Sequence, residues 1–263
     1  MPRLTVMPAF ANRDPSETPG GGTMSAFRAG IRNPAVNEYR PDSFDADIGE
    51  LRGLIAQMGG LAERAIAGAI EALQRHDLVA AQRIVSEDKK IDALEKQVEQ
   101  LAVQIIAQRA PVDGDLREVV AALKIAGVVE RIGDYAKNIA KRVPSIDSHG
   151  EIEPLAVLPA MARLAAEMVH DVLDAFAARD AEAAVDVCER DRAVDDYYNS
   201  LFRVLVTHMM ENPRTIGQVA HLLFVAKHLE RVGDHATNVA EMVYYAATGT
   251  HMAERDRGAL APN

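Results

Sequence analysis

Four pairs of carboxylates stand four residues apart in this chain: Asp88/Asp92, Glu130/Asp134, Asp191/Asp195 and Glu230/Asp234. If each pair lies on a helix, its two members are neighbours on one face, with Cβ atoms about 5–6 Å apart. Two like charges so placed repel by a few tenths of a kcal/mol in water. A facing pair on the next helix sharpens the repulsion. A hard cation removes it, because carboxylate oxygens suit magnesium, calcium, manganese and iron. The chemistry on offer is therefore cation binding by oxygen ligands. Asn138 and Asn238 follow one turn beyond Asp134 and Asp234 and offer amide oxygens to the same face.

One acidic pair at this spacing is ordinarily a solvated helix face. An internal repeat separates signal from noise. Residues 115–143 and 215–243 are identical at 11 of 29 positions. The densest match sets Glu130-Arg131-Ile132-Gly133-Asp134 on Glu230-Arg231-Val232-Gly233-Asp234. A shift of 103 aligns the preceding segments and places Asp77 on Asp180, Asp88 on Asp191 and Asp92 on Asp195. All four carboxylate positions recur. Glu95 and Glu99 do not, since they fall on Tyr198 and Phe202, and they read as ordinary surface charge. Ala126, Ala226, Gly133 and Gly233 are small and would leave room beside the acids.

The elements that must carry these residues are helices. The chain has 263 residues, is 48% hydrophobic but only 5% aromatic, and has no Trp, which favours helices over sheets. Periodic apolar spacing predicts six long helices over about 44–76, 78–109, 115–143, 155–179, 181–211 and 215–247. Pro111, Pro144 and Pro213 punctuate them. The expected fold is all-α, two tandem three-helix bundles over 44–145 and 152–248. Residues 1–43, rich in Pro, Gly, Asn and Ser, read as a disordered N-terminal tail, and 249–263 as a short C-terminal one. Helical wheels place the carboxylates on the bundle flanks, off the apolar stripes such as Leu94, Val98, Leu101 and Ile105.

Net charge is −10, which argues against nucleic-acid partners. The single cysteine, Cys188, excludes an internal disulfide framework, and its repeat counterpart Val85 marks a buried apolar position. No apolar run reaches the length of a membrane span, and the N-terminus lacks a signal-peptide core, so a cytoplasmic protein is expected. His221, His228 and His235 form a ladder on the side of the last helix away from Glu230 and read as packing or interface residues. Glu167-x-x-His170 matches a di-iron spacing, but the counterpart of His170 is Ala67, so the match reads as chance.

The paired segments Glu130-Arg131-Ile132-Gly133-Asp134-Tyr135-Ala136-Lys137-Asn138 and Glu230-Arg231-Val232-Gly233-Asp234-His235-Ala236-Thr237-Asn238 resemble the repeated signature of the PhoU family. The resemblance covers about 43–248. It implies two similar three-helix bundles and metal ions in carboxylate-rich sites, whether iron, zinc, manganese or magnesium. Asp88, Asp92, Glu130 and Asp134 would form one site, and Asp191, Asp195, Glu230 and Asp234 the other. It also implies a regulator and not an enzyme. The implied role is negative regulation of phosphate uptake and of the phosphate-starvation two-component response. The implied partners are the phosphate ABC transporter's ATPase subunit, the phosphate-sensing histidine kinase and a second copy in a homodimer, with membrane association only through partners. Two readings compete. One is a carboxylate-bridged di-metal enzyme of helical-bundle type, which needs its ligands in a pocket. The other is a purely structural scaffold whose acidic stripes are merely solvated.

Overall fold

The computed structural model describes residues 41–146 and 156–252, with side chains from Phe44 onward. Most of the expected tails and of the linker between the halves lies outside the described residues. Among the described residues there are seven α-helices and no strand. They are α1 (Pro41–Arg75), α2 (Leu78–Glu87), α3 (Lys89–Arg109), α4 (Asp113–Ala140), α5 (Leu158–Ala178), α6 (Ala181–Glu211) and α7 (Ile216–Thr248).

The all-α expectation holds, with two differences of detail. The second predicted helix is interrupted at Asp88. There the Ile91 N–H reaches the Asp88 carbonyl at 2.8 Å, a tighter bond than the regular Asp92 N–H at 3.3 Å. Its counterpart α6 runs unbroken through Asp191. The third predicted helix stops at Ala140 rather than Val143, and Val143–Ser145 form a 3-10 turn. Pro144 accounts for this, because its ring disfavours helical backbone in the residue before it.

The repeat is visible in the turns. His76 and Arg179, related by the shift of 103, both adopt left-handed backbone, with φ of 50° and 56°. Asp77 and Asp180 follow and cap the next helix in the same way. Asp77 accepts from the Val79 and Ala80 N–H groups, and Asp180 from those of Glu182 and Ala183. Each cap is worth about 1 kcal/mol.

The two halves share one continuous apolar core, with α1 packed on α5 and α4 on α7. Met58 and its counterpart Met161 are both fully buried in it. Glu118 on α4 is 3% exposed. It pairs with Arg52 of α1, whose Nη2 lies 2.5 Å from Oε1, and with Arg179 of the α5–α6 turn. One buried carboxylate thus ties elements of both halves together.

Candidate functional site

The first acidic flank is built where α2 meets α3 and faces α4. Asp88 sits at the α2–α3 joint and is 6% exposed, so the expected flank position is corrected here: this carboxylate is buried. A helical wheel cannot foresee this, because it contains no neighbouring helix. Gly133 makes room for it. A Cβ at Gly133 would stand 3.5 Å from Asp88 Oδ1 and 2.7 Å from Ile91 Cδ1. Lys137 of α4 supplies the counter-charge, with Nζ 2.5 Å from Asp88 Oδ2 and 2.9 Å from Asp134 Oδ1. The hydrogen bond to Asp88, then that to Asp134, holds the ammonium pKa above its usual value.

Glu130 and Asp92 are half-buried on the same flank. Burial pushes the Glu130 carboxyl pKa up, and the charges of Asp134, Glu95, Asp92 and Asp88 add to it in that order. Glu95 therefore belongs to this cluster, and its Oε1 also approaches Gly127. The repeat comparison set Glu95 aside because its counterpart is Tyr198. That comparison finds only what both halves keep, and the first flank keeps an extra acid.

The second flank lies between α6 and α7. Asp191 packs on Gly233 as Asp88 packs on Gly133: a Cβ at Gly233 would stand 3.0 Å from Asp191 Oδ1. Glu230 is mostly buried, and Lys227 Nζ lies 2.5 Å from its Oε1. Burial raises the Glu230 pKa, Asp234 and Asp195 raise it further, and Lys227 opposes them. The Asp195 carboxyl, although its side chain reaches solvent, is pushed up by the surrounding protein and then by Asp234. The other oxygen of Glu230, Oε2, is buried without a hydrogen-bond partner.

The lysines break the symmetry. The counterpart of Lys137 is Thr237, whose hydroxyl donates to the Asp234 carbonyl at 2.7 Å. The counterpart of Lys227 is Gly127. Lys227 also lies 5.1 Å from the Tyr198 ring, where the first flank has Glu95. Sequence reasoning missed both lysines, although each stands three residues from an acid of its own helix.

Among the described residues, no group of three or more His, Cys, Asp or Glu side chains is gathered to hold a metal ion. The donor chemistry nevertheless fits a hard cation. Each flank gathers carboxylate oxygens, burial and neighbouring acids raise the Glu130, Asp195 and Glu230 pKa values, and Glu230 has a buried oxygen in want of a partner. Asn238 turns its amide toward His235, at 3.5 Å from Nδ1, and Asn138 is half-buried. Asp88 also lines a groove of about 580 Å³ between α1 and α2 with Arg64, Arg83 and Ile91. His170, the chance motif, pairs with Glu63 of α1 at 3.3 Å and Asp174 at 3.5 Å. Cys188 is buried.

Comparison with known proteins agrees with this geometry. The PhoU domain profile matches residues 55–143 and again 158–243, once per half. A "Phosphate-specific transport system accessory protein PhoU homolog" from Zymomonas mobilis is 55% identical over 216 residues, 82% of this chain and 91% of that protein. One of the same name from Rhizobium meliloti is 46% identical over 208 residues, 79% of this chain and 88% of its own length. The crystal structure of PhoU from Pseudomonas aeruginosa superposes with a TM-score of 0.75 at 36% identity, covering 79% of this chain and 100% of that one. With both halves matched and the carboxylate flanks repeated in each, the chain belongs to the PhoU family.

Proposed function

We propose that this chain is a non-catalytic accessory regulator of phosphate uptake that holds the phosphate-starvation response off when phosphate is plentiful. The observation that carries this is its 55% identity to a phosphate-specific transport system accessory protein PhoU homolog along 91% of that protein. The acidic flanks supply the working surface. Asp88, Asp92, Glu95, Glu130 and Asp134 would hold a cation on the first, and Asp191, Asp195, Glu230 and Asp234 on the second. Iron, zinc, manganese and magnesium all fall within the chemistry of oxygen-rich sites, with the harder ions favoured. A bound ion would supply positive charge that joins α3 to α4 and α6 to α7.

Lys137 and Lys227 do part of that work already, so cation binding displaces or supplements them. A flank left net negative suits a basic surface on the transporter's ATPase subunit or on the phosphate-sensing histidine kinase. No helix among the described residues is long and apolar enough to cross a membrane, which agrees with a cytoplasmic protein that meets the membrane only through partners. A homodimer would double the number of flanks presented. The di-metal enzyme reading fares less well, because Asp195 and Asp234 are exposed rather than enclosed.

The test is a phosphatase reporter of the starvation response in phosphate-rich medium with the gene deleted. Constitutive expression that the wild-type gene reverses supports the proposal. A reporter that stays off in the deletion strain, with no related gene left to compensate, overturns it.

A further inference from the structure

The seam between the two halves has the opposite electrostatic character to the flanks. Here α4 and α7 run antiparallel: Arg117 packs by Gly249, Tyr135 by His228 and Arg142 by His221. The shift of 100 that relates the repeats exchanges Arg131 with Arg231 and Tyr135 with His235. The same two positions of each repeat therefore arrive at the seam together. The Tyr135 ring stacks on His228 and His235, with centroids 5.6 and 5.4 Å away, and its hydroxyl lies 3.0 Å from His235 Nε2.

Two guanidinium groups stand along this seam. Arg231 stands 5.7 Å from the Tyr135 ring centre. Arg142 covers Phe224 at 4.3 Å and places Nη1 3.1 Å from His221 Nδ1. Arg131 and Arg231 both lower the His235 pKa behind the effect of burial, with Asp234 opposing them, while Arg142 and Arg231 do the same to His228. Among the described residues neither Arg142 nor Arg231 has a carboxylate in salt-bridge contact. In a chain of net charge −10, two unneutralised guanidiniums on facing segments of the seam suit an anion.

Buried polar atoms point the same way. Arg142 Nε and both ring nitrogens of His228 are buried with no hydrogen-bond partner. Buried donors and acceptors are nearly always satisfied, so these nitrogens call for a hydrogen-bonding ligand. The guanidinium fork matches the oxygens of a tetrahedral oxyanion.

We propose that the α4–α7 seam binds a small tetrahedral oxyanion, held by Arg142 and Arg231 with His228 completing its hydrogen bonds. The buried nitrogens of His228 favour a free ion over a phosphoryl group carried on a lipid. This proposal uses none of the flank carboxylates and does not depend on the regulatory reading.

The test is NMR of the full-length protein, with histidine and tyrosine ring signals followed as inorganic phosphate is added at constant ionic strength. Parallel titrations use sodium chloride alone and vesicles containing phosphatidylglycerol. Phosphate should shift the His228, His235 and Tyr135 signals saturably, and chloride should not. Arg142→Ala and Arg231→Ala, each checked for native circular dichroism, should weaken the affinity about ten-fold or more, as loss of a charge-assisted hydrogen bond implies. The flank variant Glu130→Gln/Asp134→Asn should bind phosphate as the wild type does. Equal responses to phosphate and chloride, or unchanged affinity in folded Arg142→Ala and Arg231→Ala, overturn the proposal. Arginine-dependent binding to vesicles without binding to free phosphate also overturns it.

Discussion

Replacing Lys137 by Ala probes the first flank most sharply. Lys137 Nζ lies between Asp88 and Asp134, at 2.5 and 2.9 Å. The two partners differ in burial: the Asp88 side chain is 4% exposed, that of Asp134 44%. Water screens the Asp134 contact, which is worth about 0–1 kcal/mol. Asp88 dominates, because removing one partner of a buried pair costs about 3–5 kcal/mol. Lys137 is itself a quarter exposed, which lowers the expected loss to about 2–4 kcal/mol. For a fold of this size that is a fall in Tm of about 5–12 °C. The assay is thermal unfolding followed by circular dichroism, in chelator and then in excess manganese or magnesium. Adding Asp88→Asn to the variant should recover much of the loss, since no buried charge then lacks a partner. A cation that takes the place of the ammonium should stabilise Lys137→Ala more than wild type, and the variant itself by about 2.7 kcal/mol at one hundred times its Kd. A wild-type Tm for Lys137→Ala in chelator would refute the counter-ion role. Equal stabilisation of both proteins by metal would refute the competition.

Other outcomes follow from the same geometry. The Glu130 pKa is raised in the folded protein, so the penalty of its charge is absent below pH 4.5, grows as pH rises through the raised value, and is full at neutrality. In metal-free buffer, Glu130→Gln should therefore gain about 0.3–1 kcal/mol at pH 7 in urea unfolding and nothing near pH 4. Burial, aided by Arg142 and Arg231, holds the His228 pKa down to about 4. Its neutral ring favours the fold above pH 6.5, and that stability is lost as pH falls from 6.5 toward 4. His228→Phe should escape about 2 kcal/mol of this acid-induced loss, read from urea midpoints across that range. Glu118→Ala removes the buried partner of Arg52 and Arg179, which both reach water, and should cost about 1–3 kcal/mol in equilibrium unfolding.

Much of this arrangement is legible in the sequence, for a physical reason. Helix periodicity and proline positions define the rods, and duplication makes each half a control for the other. Asp77 and Asp180 thus pair as caps, and Gly133 and Gly233 pair as the small residues beneath Asp88 and Asp191. What sequence reading loses is whatever departs from symmetry or from an ideal helix. Glu95 is discarded because only one half keeps it. The burial of Asp88 depends on its packing against Gly133 and Lys137 of α4, which no wheel contains. Lys137 and Lys227 occupy different register positions, so the repeat hides that each flank carries an internal ammonium. The histidine ladder marks the seam as packing, but Arg231 looks like a solvated helix residue until the antiparallel packing of α4 and α7 sets it beside Tyr135.

The most direct test of the regulatory account is the phosphatase reporter in a strain whose gene carries Glu130→Gln, Asp134→Asn, Glu230→Gln and Asp234→Asn together. The account predicts constitutive expression in phosphate-rich medium, as in the deletion strain, with the variant protein present at wild-type level. A reporter held off by that variant would show that the acidic flanks do not carry the signal.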